Sequence, residues 1–88
     1  MSYTLEGRIE EIGEVQRWDS GFYKQQIIVR TSGEFSQAMP IDFKKEKAEL
    51  LKDLQVNDNV RVNFDIRAQR TDNRHFVELA GWKIQKLI

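Results

Sequence analysis

The sequence predicts an all-β fold: one barrel of five strands, with a single helix between the third and fourth strands. Two observations predict it. Most of the chain alternates apolar and polar residues with the two-residue period of half-buried strands. The alternation breaks only once into a run of good helix formers, Lys44 to Leu54. Eighty-eight residues suffice for one domain, so residues 1–88 are read as a unit.

The first patterned segment runs from about Tyr3 to Val15. Leu5, Gly7 and Ile9 alternate with Glu6, Arg8 and Glu10, and then the phase slips, with Glu10 and Glu11 both polar before Ile12. A slip of one residue within a continuing strand marks a β-bulge. A long, bent first strand lets a small barrel serve two parts of its sheet. Asp19-Ser20-Gly21 is a turn cluster. Phe22 to Thr31 is the second strand, with Ile27 and Val29 on one face and Gln26, Ile28 and Arg30 on the other. Ser32-Gly33-Glu34 turns the chain into a third strand, Phe35 to Phe43. Phe35, Met39, Ile41 and Phe43 share its apolar face, and Pro40 calls for an edge or bulge position.

The helix, Lys44 to Leu54, has a narrow stripe of Ala48, Leu51 and Leu54, with Leu50 beside it. Val60 to Arg70 is the clearest strand. Val60, Val62, Phe64 and Ile66 alternate with Arg61, Asn63, Asp65 and Arg67. Thr71-Asp72-Asn73 is a hairpin loop. The last strand runs from Arg74 to about Lys86. Val77 and Leu79 share a face, while Trp82 and Ile84 have the opposite parity, which predicts a second bulge near Ala80-Gly81. Three strands, a helix and two more strands, with a bent first strand, is the order of an OB-fold Greek-key barrel. An SH3-like barrel is the competing arrangement, and it usually lacks an eleven-residue helix at that point.

Three segments carry a family likeness: Phe22 to Thr31, Val60 to Ile66, and Arg74-His75-Phe76 leading to Ala80-Gly81-Trp82-Lys83-Ile84. Together they resemble a family of small bacterial and phage OB-fold proteins of unassigned function, similar to single-stranded DNA-binding proteins. The likeness extends from about Leu5 to Lys86. It implies an OB fold and single-stranded nucleic acid as ligand.

Composition limits the remaining choices. There is no cysteine and one histidine, His75, so neither a disulfide nor a structural zinc site is expected. No signal peptide or membrane span is expected, and a cytoplasmic location follows as an expectation. The 14 basic and 14 acidic residues cancel. A nucleic-acid ligand, which draws affinity from phosphate neutralisation, therefore requires segregated charge.

Three candidate binding groups stand out. Trp18, Phe22 and Tyr23 cluster around the first loop, and Trp18 sits in a polar setting, Arg17 before it and Asp19 after. Stacked bases suit such rings; a folded-back Trp18 capping one barrel end is the alternative. Lys24, Gln26, Ile28 and Arg30 form the outer face of the second strand, suited to tracking a backbone, to solvent or to a dimer contact. Arg67, Arg70, Arg74 and Phe76 bracket the last hairpin, where arginine combines phosphate contact with stacking; pairing with Asp65, Asp72 and Glu78 is the alternative. Lys44, Lys45 and Lys47, interleaved with Glu46 and Glu49, read as a solvated helix face. Trp82, among Val77, Leu79 and Ile84, reads as core or interface.

No nucleophile motif, phosphate-cradling glycine loop or metal-ligand spacing is present, so catalysis and a cofactor are not expected. The reading is sequence-tolerant binding of single-stranded DNA or RNA. Trp18, Tyr23 and Phe76 would stack on bases, and Lys24, Arg30, Arg67, Arg70 and Arg74 would meet phosphates, with Gln26 between them. The alternative is a protein-interaction domain, and a homodimer or higher homo-oligomer fits either reading.

Overall fold

The computed structural model describes residues 2–87, Thr71 by its backbone only; Met1 and Ile88 of the predicted domain lie outside the described residues. The strands are β1 (Ser2–Ile12), β2 (Gln16–Arg17), β3 (Tyr23–Thr31), β4 (Ala38–Lys44), β5 (Asn59–Thr71) and β6 (Arg74–Lys86). A 3-10 helix, Lys45–Leu51, lies between β4 and β5. The five long strands are the predicted five. The two-residue β2 extends the β3 edge within the segment read as loop.

One sheet closes on itself. Its order is β1-β5-β6-β4-β3-β2, with β1 also paired to β3. The bent β1 makes this possible. Its first half pairs with β5, Ser2 opposite Asp65 through Arg8 opposite Asn59. Its second half pairs with β3, Gly7 opposite Thr31 through Ile12 opposite Ile27, with the register shift between Ile9 and Glu11 where the polarity slips. At the crossover, a Cβ on Gly7 would lie 2.2 Å from the Arg30 carbonyl oxygen, so only glycine lets β1 approach β3 while still paired to β5. The last closure is a single parallel bridge, Asp42 opposite Ala80. The second bulge falls where Trp82 is passed over: Asn63 pairs with Lys83, and Phe64 pairs with Gly81.

Ile9, Ile27, Val29, Ile41, Phe43, Val60 and Val62 are wholly buried, with Ala48, Leu51 and Phe64 completing the core. β3, β4 and β5 supply alternate residues to it, as the sequence period requires. Three apolar assignments fail. Phe35 is 85% exposed, because the chain after Thr31 loops outward and β4 starts only at Ala38. The loop is closed by Thr31 N–H donating to Gln37 O and Gln37 N–H donating to Thr31 Oγ1. Ile66 and Val77 continue the inner face in register, but the β5–β6 hairpin extends past the barrel, so nothing covers them there.

The predicted helix over Lys44–Leu54 is present as a shorter 3-10 helix, Lys45–Leu51. Its apolar positions suit that geometry. Ala48 and Leu51, its two buried residues, are three apart and so lie in line on a helix of three residues per turn, and Leu54 packs on the core just beyond its end. Its start offers no side-chain cap, and Lys45 takes a left-handed φ of 49° on leaving the strand. At its end the Lys52 ammonium is held above the ordinary lysine range of 10.5, first by its hydrogen bond to Glu49 and then by that carboxylate's charge. Among the described residues, no helix is long and apolar enough to cross a membrane.

Candidate nucleic-acid interface

With Ile27, Val29, Ile41 and Phe43 turned inward, the alternate residues of β3 and β4 form one outer face. In register it reads Lys24 opposite Lys44, Gln26 opposite Asp42, Ile28 opposite Pro40 and Arg30 opposite Ala38. Asp42 is its centre. The residue is only 9% exposed, and a carboxylate so placed needs partners. Gln26 Nε2 donates to Asp42 Oδ1 at 2.9 Å, and Lys24 Nζ lies 3.8 Å from Oδ2. Across the closing bridge the face continues onto β6 and β5, where Lys44 Nζ meets Glu78 Oε1 at 2.6 Å.

Three shallow depressions follow this face. One of about 320 Å³ is lined by Glu10, Glu11, Ile12, Gln26, Ile28 and Val56, together with Gly13. A second, about 250 Å³, shares Gly13 and Gln26 with it and adds Glu14, Gln16, Lys24 and Asp42. A third, about 120 Å³, shares Asp42 with the second and is walled by Lys44, Lys47, Asp65, Arg67 and Trp82. Together they make a track across the barrel rather than an enclosed pocket. Among the described residues, no group of His, Asp or Glu side chains is placed to hold a metal ion.

The loop between β2 and β3 overhangs one end. It is tight: Trp18 N–H donates to Phe22 O, and Gly21 N–H donates to Trp18 O. Trp18 is 46% exposed and packs on Phe22, ring centres 5.2 Å apart, without joining the side chains packed against the core. It does not cap the barrel. Tyr23, in contrast, rests one side on the core. Cations stand over all three rings: Lys24 Nζ 5.8 Å from Trp18, Lys45 Nζ 6.0 Å from Phe22 and Arg17 Cζ 5.1 Å from Tyr23. Such pairs hold each cation beside its ring by attraction to the ring's negative face.

The nine predicted site residues are thus divided. Trp18, Tyr23, Lys24 and Gln26 gather at the β2–β3 loop and the centre of the face. Arg67 borders the third depression. Arg74 and Phe76 lie together on the hairpin, guanidinium carbon 5.9 Å from the ring centre. Alternation puts Phe76 on the side of Glu78 and Arg67, but turns Arg70 to the other side with Ala68 and Val77. Arg30 is engaged by Glu10, its Nε and Nη2 donating to that carboxylate at 3.1–3.3 Å. The expected pairing of the hairpin arginines with Asp65, Asp72 and Glu78 does not occur among the described residues.

Lys44 and Lys47 border the track, whereas the sequence pattern made them a solvated helix face. Lys45 belongs to that same predicted helix face. The sequence reads Trp82 as core or interface and Asp65 only as a pairing partner of the hairpin arginines; it does not single out Arg17. The only sequence signal for Trp82 was the parity change at Ala80-Gly81: a bulged residue leaves the ladder and its side chain is re-aimed.

A small, closed five-stranded Greek-key barrel with a bent first strand and a helix before the fourth long strand is an OB fold. Solved structures share it, among them the two that follow. The mitochondrial single-stranded DNA binding protein Rim1 of S. cerevisiae superposes with a TM-score of 0.81 at 13% identity, covering 99% of this chain and 95% of that one. The SSB domain of a Synechococcus sp. protein gives 0.74 at 16% identity, covering 94% and 91%. A search of curated proteins finds no match. The model of DUF3127, a domain of unknown function, matches residues 4–85, and the chain belongs to that family.

Proposed function

We propose that this OB domain binds single-stranded nucleic acid along the track across β3, β4 and β6, without catalysis. The observation that carries this is the β2–β3 loop, where Trp18, Phe22 and Tyr23 each have a cation within about 6 Å at the end of an open track. Base stacking contributes about 1–3 kcal/mol per base and tolerates any sequence. The likeness to proteins described as single-stranded DNA binding supports the same ligand. Lys24, Arg67 and Arg74 meet phosphates in this reading, and Trp18 and Phe76 stack. Arg30 joins only after giving up Glu10. The zero net charge is accommodated because Lys44, Lys47 and Arg67 gather at the third depression, beside Asp42 and Asp65, with Arg74 further along the hairpin.

Titration with a mixed-sequence single strand, following tryptophan fluorescence at low and high salt, tests it. Binding that quenches fluorescence and weakens with salt is expected. Absence of binding at micromolar protein and low salt would rule the reading out.

A second reading, docking of a protein or another copy of this chain, is favoured by the hairpin's other face. Ile66 is 48% and Val77 72% exposed there, beside Ala68. Co-sedimentation with the oligonucleotide supports the first reading, and its absence the second; self-association of the protein alone fits both.

A further inference from the structure

Phosphate contact and stacking leave one group of the track unaccounted for. The Asp65 carboxylate is half-buried beside the third depression and, among the described residues, accepts no hydrogen bond and makes no ion pair. Asp42, across the same cleft, is already engaged by Gln26 and Lys24. Arg67 is two residues away on the same strand face and leaves Asp65 unpaired. An ionised carboxylate only accepts hydrogen bonds. It repels phosphate, so the complementary partner is an uncharged group bearing N–H donors.

The neighbouring wall specifies that partner further. Trp82, 38% exposed, is bulged out of the β5–β6 ladder, and its Nε1–H donates to Ser2 Oγ at 3.1 Å, which fixes the ring across β5 toward β1. The cleft's 120 Å³ falls below the roughly 300 Å³ of a complete small-molecule pocket, and so suits one planar ring system that is part of a longer ligand.

We propose that this cleft is a base-reading subsite: one nucleobase with an exocyclic amino group lies against Trp82 and donates to Asp65, while Lys47 and Arg67 meet the flanking phosphates. The proposal rests on the nucleic-acid reading above and deepens it. Guanine fits best, because its N1–H and N2–H point the same way and match both carboxylate oxygens. Cytosine and adenine offer one amino group. Thymine and uracil offer a single imide N–H between two carbonyl oxygens that face the carboxylate. Single strands leave these edges free.

The test measures anisotropy of labelled oligo-dT, alternating TG and alternating TC strands of equal length, with the full chain and with Asp65→Asn. The wild type is expected to bind alternating TG about five-fold or more tightly than oligo-dT, with TC between. Asp65→Asn, its fold checked by thermal melting, is expected to lose that preference and to gain affinity for oligo-dT, since one anion facing the phosphates is gone. Equal binding of TG and dT by the wild type, or a preference retained by Asp65→Asn, overturns the subsite and leaves nucleic-acid binding standing. Binding to none of the three overturns both.

Discussion

Gly81→Ala is a one-methyl perturbation whose cost can be worked from the structure. Gly81 lies under the Phe43 ring. A Cβ there would be 2.4 Å from Phe43 Cζ and 2.7 and 2.8 Å from its two Cε atoms. Ordinary contact between carbons is near 3.5–4.0 Å, so ring and strand must separate by about 1 Å. Phe43 has no room to yield, being wholly buried among Ile27, Ile41 and the rest of the core. Gly81 is equally fixed, paired to Phe64 beside the Asp42–Ala80 bridge that closes the barrel. Overpacking of this kind costs about 1–3 kcal/mol. For a domain of this size each kcal/mol lowers Tm by about 4–8 °C, so a fall of roughly 5–20 °C is expected in thermal unfolding followed by circular dichroism. Phe43→Leu shortens the ring that clashes. Combined with Gly81→Ala, it is expected to destabilise by less than the sum of the two single changes. A Tm within about 2 °C of wild type for Gly81→Ala, or strict additivity in the pair, would refute the close-approach reasoning.

Other expectations separate stability from binding. Trp18→Ala is expected to weaken single-strand binding by about 1–3 kcal/mol, read by anisotropy. Its thermal midpoint should barely move, because Trp18 does not pack on the core. Under the proposed function Arg74→Ala removes one phosphate contact, so the slope of log affinity against log salt is expected to become shallower by about 0.7. Arg70→Ala, on the opposite hairpin face, should leave that slope as it is. Glu10→Gln releases Arg30 and is expected to tighten nucleic-acid binding several-fold while changing stability by under about 1 kcal/mol, as for other half-exposed ion pairs. Leu51→Ala removes the buried end of the 3-10 helix and is expected to cost about 2–5 kcal/mol in denaturant unfolding.

Alternation made the barrel legible. The strand faces of Ile27, Val29, Ile41, Phe43, Val60 and Val62 follow from a period of two, and both bulges from slips in that period. The same pattern misled wherever an element outran the core. Ile66 and Val77 keep an inward phase on a hairpin that has left the barrel, and Phe35 keeps it in a loop that has not yet joined the sheet. Periodicity records which side a residue faces, not whether anything lies opposite. The helix was legible by composition, but its 3-10 type and its end at Leu51 were not.

The candidate face was only half legible. Trp18, Lys24 and Gln26 could be placed from one strand and its preceding loop, since local alternation and turn chemistry suffice there. Asp42, Lys47, Asp65, Arg67 and Trp82 come from four separate segments of chain. Closure of the sheet through Asp42 and Ala80 and the bulge at Trp82 bring them around one cleft. The sequence by itself determined an all-β OB barrel with an aromatic first loop, because local period and turn residues encode both. Only the tertiary structure decided that Arg30 is tied to Glu10, that Arg70 is turned from Arg67, and that Asp65 shares a cleft with Trp82 and has no partner among the described residues. Each of these depends on which strands lie side by side, and pairing across the barrel leaves no mark in local periodicity.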